Sequence, residues 1–228
     1  MMSPPNLSVP ASAVRPPYSQ SAEGRRPYGA HRFDVYSIKA GRQLTLFGRG
    51  PLGLWIQLEV DPAVTQLCER PLVLPDCQPR RVVDFWARSN GANRLILLVR
   101  KLGSAAEAKR AEQLAAFRIW AADAGCTIEE VVAEEEAGHA VENWTLMLQY
   151  CRSYQSSLTA DCLERIELLL VAPTPIARLI KCVGGGVASE DADEILRAAI
   201  YDLVRRGRAR IPALGTARLH DGLEVEPC

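Results

Sequence analysis

The sequence predicts an α/β protein: a mixed sheet flanked by helices, followed by a smaller helical unit that ends in a hairpin. Three observations lead there. Two apolar segments, residues 81–88 and 94–100, are joined through Asn90-Gly91, a dipeptide that favours the tight turn of a β-hairpin. A long helix-forming run, residues 104–124, then leads into a β-branched segment at 127–133, which gives strand, helix, strand. After Gln155-Ser156-Ser157 the pattern changes to short helices punctuated by proline and glycine.

The elements follow in order. Residues 1–30 carry Pro4, Pro5, Pro10, Pro16, Pro17 and Pro27 among Ser, Asn and Arg, a composition that cannot offset the entropy of ordering, and read as a disordered leader. Its Arg15, Arg25 and Arg26, with Arg32 just beyond and Tyr18 and Tyr28 between, suit either contact with nucleic acid or a partner, or a solvated tail. Residues 42–47 alternate loosely as a short strand, and 52–58 form a helix ended by Asp61-Pro62, since a residue before proline is pushed out of the helical region. Residues 71–74, 81–88 and 94–100 read as three strands. In the helix 104–124, Ser104 and Glu107 form a capping box, and Leu114, Phe117, Ala121 and Ala124, with Trp120, lie on the sheet. The strand 127–133 and a helix 143–153 complete a unit spanning 31–155.

The second unit, 156–228, opens with a helix capped by Thr159, whose Leu163, Ile166, Leu169 and Leu170 share a face. Pro173-Thr174-Pro175 breaks the chain before a helix at 176–182, which Gly184-Gly185-Gly186 stops. Those glycines lack the preceding strand and following Lys-Ser or Lys-Thr of a phosphate loop. Ser189 caps a third helix, 190–206, stopped by Gly207. Strands at 208–211 and 216–219, around Pro212-Ala213-Leu214-Gly215, then form a hairpin. Three helices and a hairpin is the order of a winged helix-turn-helix.

Composition narrows the function. Among 228 residues the 27 basic and 27 acidic side chains cancel, and hydrophobic residues at 48% are ample for a core. A protein that bound DNA by overall charge alone would be basic, so local basic patches or a DNA-binding partner are expected. The seven cysteines form no Cys-x-x-Cys pair, and His31, His139 and His220 show no metal-ligand spacing, so reduced thiols and surface histidines are expected. Apolar runs fall short of the roughly 18–20 residues that a membrane helix needs, and the expectation is a cytoplasmic protein without membrane partners.

A family resemblance rests on a succession of short phrases. Leu58-Glu59-Val60-Asp61-Pro62-Ala63-Val64 is followed by Arg70-Pro71, then Val83-Asp84-Phe85, then Leu98-Val99-Arg100; beyond these lie the long helix, Gly125, the strand near Glu134, and Asn143 at a helix start. This order resembles the TnsA-type endonuclease subunit of heteromeric transposases, from about Phe33 to the end. The resemblance implies a restriction-endonuclease-like mixed sheet flanked by helices, then a winged helix-turn-helix domain. It also implies DNA and a transposase partner as ligands, and active relatives that cut one strand at transposon ends.

The same resemblance implies a degenerate active site. Such a core holds Mg²⁺ between carboxylates, one on an early helix, an Asp at a strand start, and a Glu two residues before a Lys on the next strand. Asp84 holds the Asp position, as a catalytic remnant. The early acid falls at Gly50-Pro51-Leu52, and Glu-x-Lys is replaced by Leu98-Val99-Arg100. An arginine cannot exchange a proton near neutral pH as a lysine can. No metal site and no cofactor are therefore expected, Mg²⁺ entering only if non-standard acids such as Glu59, Asp61 or Glu69 restore cleavage.

The expected DNA contacts are Arg80, Arg81, Arg100 and Lys101 along the old cleft, and Arg197, Tyr201 and Arg205 at four-residue steps on the third helix of the second unit. Arg208, Arg210 and Arg218 of the wing join them. Against groove reading, Glu190, Asp191, Asp193 and Glu194 crowd that helix's amino end and repel phosphate. The expected role is a non-cleaving accessory subunit of transposition. An active Mg²⁺-dependent endonuclease and a winged-helix transcription regulator are the alternatives.

Overall fold

The computed structural model describes residues 17–74, 80–99, 104–132, 139–184 and 191–228, without the side chains of 104–110, 113 and 116. Arg100, Lys101, Glu134, Gly185, Gly186, Ser189, Glu190, residues 1–16 and the Ser104–Glu107 capping box lie outside what is described.

The first unit begins with a hairpin of β1 (Arg32–Ser37) and β2 (Arg42–Phe47), antiparallel with Arg32 opposite Phe47. Helix α1 (Arg49–Val60) follows, then β3 (Val64–Glu69), β4 (Phe85–Ser89), β5 (Ala92–Val99), helix α2 (Ser104–Asp123) and β6 (Cys126–Val132). Strands β3 to β6 form one four-stranded sheet in that order. The first two pairings are antiparallel and β5–β6 is parallel, because helix α2 carries the chain back over the sheet between them. The α/β expectation of a mixed sheet flanked by helices is met.

Side-chain alternation gives the sheet two faces. Leu67, Phe85, Ala87 and Ile96 pack with α1 and the β1–β2 hairpin. Cys68, Trp86, Leu95 and Leu97 pack with Leu114, Phe117 and Ala121 of α2, with Trp120 partly buried beside them; Ala124, the remaining residue of the expected face, lies just beyond the end of α2 and is exposed. The Asn90-Gly91 turn also forms as expected: both residues have positive φ, 50° and 80°, and Ser89 pairs with Ala92 across it.

Two expectations change in this unit. Residues 64–69 form β3, whereas 71–74 contribute only a single bridge, Val73 to Val82. The ladder with β4 runs instead through the less patterned Val-Thr-Gln-Leu-Cys-Glu stretch. Residues 17–30, read as part of a disordered leader, lie against the unit: Tyr18 packs edge-on to Trp86 with ring centroids 5.9 Å apart, and Ala22 donates to the Arg70 carbonyl at 2.9 Å. Aromatic burial and backbone hydrogen bonds offset the ordering cost that composition alone suggests.

Helix α3 (Ala140–Ser153) ends the expected first unit, but it serves both cores. Leu148 joins the α1 cluster, and Met147 and Cys151 join the cluster of the second unit. The boundary at 155/156 therefore follows a shared helix.

The second unit contains α4 (Ala160–Leu169), β7 (Thr174–Pro175), α5 (Ile176–Gly184), α6 (Ala192–Arg205), β8 (Ala209–Arg210) and β9 (Glu224–Pro227). Thr159 caps α4 by accepting from the Cys162 amide at 3.3 Å, as its sequence position suggests. The three short strands form one sheet in the order β7-β9-β8. The partner of β8 is thus β9, and the expected strand at 216–219 is absent. Asn143 of α3 explains the difference. Its side-chain amide donates to the carbonyls of Leu214 and Ala217, both at 2.7 Å, and its oxygen accepts from the Leu219 amide at 2.9 Å. Those backbone groups are satisfied by a side chain and leave no ladder to build.

Helix α6 is buried on nearly every side, including Leu196, Ala199, Tyr201, Asp202 and Leu203. Helices α3, α4 and α5 all pack on it. No helix among the described residues is long and apolar enough to cross a membrane.

Candidate functional site

Asp84 sits immediately before β4, where the hairpin ladder with β5 runs out. Its amide donates to the Ile96 carbonyl at 3.1 Å, and its carboxylate accepts from the Leu98 amide at 2.7 Å. The side chain thus takes the next β5 donor after the backbone ladder ends. Arg81 reaches the same residue from the other side, donating to the Leu98 carbonyl at 3.2 Å. Sequence reasoning placed Asp84 and Arg81 in one cleft, and Leu98 is the point on which they meet.

The cleft itself has a volume of about 270 Å³ and is open to solvent. That lies below the roughly 300–1,000 Å³ of pockets that enclose a drug-sized ligand, so it suits a small charged group better than a metabolite. Asp84, Arg70, Arg80 and Arg81 supply its charged lining, while Pro51, Phe47 and Phe85 supply apolar walls. Burial raises the Asp84 carboxyl to about 6; the Leu98 amide, Arg81 and Arg70 pull it back only in part.

Arg70, part of the Arg70-Pro71 phrase but not named among the site residues, also lines the cleft. It follows β3 with φ at 46°, a left-handed conformation that few non-glycine residues adopt. Its amide donates to the Asp84 carbonyl at 2.8 Å, and its guanidinium lies 5.0 Å from the centre of the Phe47 ring. Burial pulls its pKa downward. The available signal was the Glu69-Arg70-Pro71 sequence, since proline restricts the residue before it, yet nothing in that rule favours a positive φ.

The other acids near this region are committed elsewhere. Glu59, fully buried, accepts from the Ser37 hydroxyl at 2.6 Å and the Lys39 amide at 3.0 Å, closing the β1–β2 turn onto α1. Lys39 in turn donates to the carbonyls of Leu58 and Asp61, at the end of α1, and burial brings its amine down to about 8. Asp61 accepts from the Ala63 amide at 2.9 Å, forming the turn into β3. Glu69 is held by two nitrogens of Arg42, at 2.9 and 2.5 Å.

A Mg²⁺ ion needs near-octahedral oxygen ligands, usually with more than one carboxylate. Here one carboxylate, already holding a backbone amide, faces three guanidiniums. The described residues do not fit the ion, and no group of three or more His, Cys, Asp or Glu side chains among them is arranged to hold a metal.

The second unit treats its basic residues differently. Arg197 forms a two-pronged bond to Asp221, at 3.0 and 2.7 Å, and pairs with Glu194 at 2.7 Å. These partners raise the pKa of Arg197, and Arg197 lowers that of Asp221. Tyr201 is 2% exposed and packs edge-on against Tyr150 of α3, and burial drives its hydroxyl pKa upward. Arg205 bonds Asp202 at 2.6 Å, Arg208 bonds Glu167, and Arg210 bonds Glu226 at 2.8 Å. The face of α6 that carries Arg197, Tyr201 and Arg205 therefore lies inside the unit, because α3 covers it; of the residues named for DNA contact there, Arg208, Arg210 and Arg218 are exposed.

No protein-family model matches the chain, and no curated protein matches its sequence.

Proposed function

We propose that the chain is a TnsA-like accessory subunit of DNA transposition that does not cut DNA, holding a DNA end through the arginine-lined cleft beside a transposase partner. The observation that carries this reading is the cleft's side-chain set. Pro51 of α1, Asp84 before β4 and the Leu98 amide of β5 come together there, at the positions where the resembling nucleases carry ion-binding acids. Three guanidiniums stand around the one carboxylate that remains. Such a surface attracts a phosphate oxygen and offers a divalent cation little.

The order α4, β7, α5, α6, β8, β9, with β9 central in its sheet, supports a winged-helix reading of the second unit. Because α6 is enclosed and its arginines are paired within the chain, that unit suits protein contact better than groove reading. Two assays test the proposal. Incubation of supercoiled plasmid with the protein and Mg²⁺ or Mn²⁺ should give no nicking; nicking that disappears in Asp84→Ala would establish an active endonuclease instead. Fluorescence anisotropy with a labelled duplex should show binding whose logarithmic salt slope is about −3, the value for three neutralised phosphates. A slope near zero would remove the cleft from DNA binding.

A further inference from the structure

Residues 17–30 lie against the arginine cleft, bonded to Arg70 and Arg80 of its lining and to Arg42 nearby. Arg42 donates to the Ser19 carbonyl at 3.0 Å, Ala22 donates to the Arg70 carbonyl, and Arg70 donates back to the Arg25 carbonyl at 3.0 Å. Farther along, Pro27 forms part of the cleft wall. Between these ties Glu23 turns one carboxylate oxygen to Arg80 at 2.9 Å and accepts from the Arg25 amide at 2.9 Å with the other.

This is the arrangement of an anion site with an internal anion in place. The Arg25 amide, then Arg80 and Arg70, hold the Glu23 carboxyl below its ordinary range, so it is ionised throughout the neutral region. A backbone amide and guanidiniums are also the donors that a phosphate oxygen takes. Arg70 couples the two sides. Its backbone amide bonds Asp84 inside the cleft while its carbonyl and guanidinium bond the segment 17–30, and its left-handed φ is maintained by those contacts.

We propose that Arg70, Arg80 and Arg81 form a phosphate-binding site for the nucleic-acid backbone, and that the strap 17–30 closes it with Glu23 as an internal competitor that DNA must displace. The proposal rests on the DNA-holding reading above and adds to it a ligand class, a residue set and a gate. It also places a requirement on the strap. Tyr18 on Trp86 keeps it attached at one end while Glu23 swings away, so release is local.

The test uses the full chain and a labelled DNA duplex at low salt. Glu23→Gln should tighten binding about two- to fivefold, the worth of an exposed ion pair. The gain should vanish in the Glu23→Gln, Arg80→Ala double variant. Glu142→Gln, which removes an exposed carboxylate on α3, should change affinity much less. Equal gains from Glu23→Gln and Glu142→Gln, or a gain that survives loss of Arg80, would overturn the strap and leave the DNA reading standing. If neither wild type nor Glu23→Gln binds the duplex, the DNA reading fails. Inorganic phosphate then decides the strap alone: faster amide hydrogen exchange at Ala22 on adding phosphate supports displacement, and unchanged exchange refutes it.

Discussion

Replacing Asp84 with asparagine should stabilise the protein at neutral pH, with a gain that grows as pH rises. Asp84 is a half-buried carboxyl whose pKa desolvation raises to about 6 from the ordinary 3.8. Because the folded value is the higher one, the native state binds the proton more tightly. Its contribution to stability is complete below about pH 4 and is lost as pH rises through about 6. A shift of this size corresponds to about 3 kcal/mol of cost to the ionised native state at pH 7 to 8. Asparagine keeps an oxygen to accept from the Leu98 amide and carries no charge to desolvate. Urea denaturation of both proteins across this range isolates the effect, since the other titrating groups are common to both. The stability difference should be within about 1 kcal/mol near pH 4 and rise by about 2–3 kcal/mol by pH 7.5. In melting temperature that is roughly 5–10 °C for a chain of this length. A difference that stays flat with pH, or a variant less stable than wild type at pH 7.5, would mean that Arg81 and Arg70 outweigh burial and that Asp84 is an ordinary ion-pair partner.

Other perturbations follow the same logic. Arg42→Ala strands Glu69, which is 4% exposed, and should cost about 3–5 kcal/mol in urea denaturation, with part recovered by also replacing Glu69 with Gln. Asn143→Ala removes three hydrogen bonds and leaves the backbone of 214–219 unsatisfied; a loss of about 2–4 kcal/mol and faster exchange of the Leu219 amide are expected. Arg208→Ala breaks an exposed pair with Glu167 and should change stability by less than about 1 kcal/mol. Millimolar Mg²⁺ should leave the melting temperature unchanged, and a concentration-dependent rise would reveal a cation site.

The parts of the fold that were legible in sequence are those where local chemistry and tertiary packing agree. Asn90-Gly91 fixes its hairpin because both residues accept positive φ, and Thr159 caps α4 with its own hydroxyl. The α2 face was visible because Leu114, Phe117 and Ala121 recur at helical spacing. Strand β3 was not visible, since Thr65 and Gln66 interrupt its apolar pattern and a register irregularity falls between Val64 and Gln66. Strand β9 was hidden for a different reason. Its only fully buried side chain is Val225, and its position depends on Asn143, which lies far away in sequence and captures the segment expected to form the wing. Periodicity identified an α6 stripe at Arg197, Tyr201 and Arg205 but not its direction, because which face a helix exposes is decided by neighbours. The cleft was half legible. Asp84 and Arg81 stood out by motif, whereas Arg70 and Glu23 reach it through backbone geometry that no local pattern encodes.

The distribution of charge bears on how such a protein would hold DNA. The chain is neutral overall, and in the second unit Arg197, Arg205, Arg208 and Arg210 each have a carboxylate partner. A phosphate approaching those arginines must compete with an ion already in place, which removes most of the electrostatic gain. The Arg70, Arg80 and Arg81 cleft brings three guanidiniums together, with Asp84 within it and Glu23 paired to Arg80. Three phosphate contacts lose only about fortyfold in affinity between 50 and 200 mM salt, against the 10³- to 10⁵-fold lost by proteins that make six to ten contacts. By the same relation their electrostatic contribution at physiological salt is small. Under the proposed function, such a chain would position one short stretch of backbone and leave most of the binding energy to a partner on the same DNA, and the proposed strap would keep that site closed until the DNA end arrives.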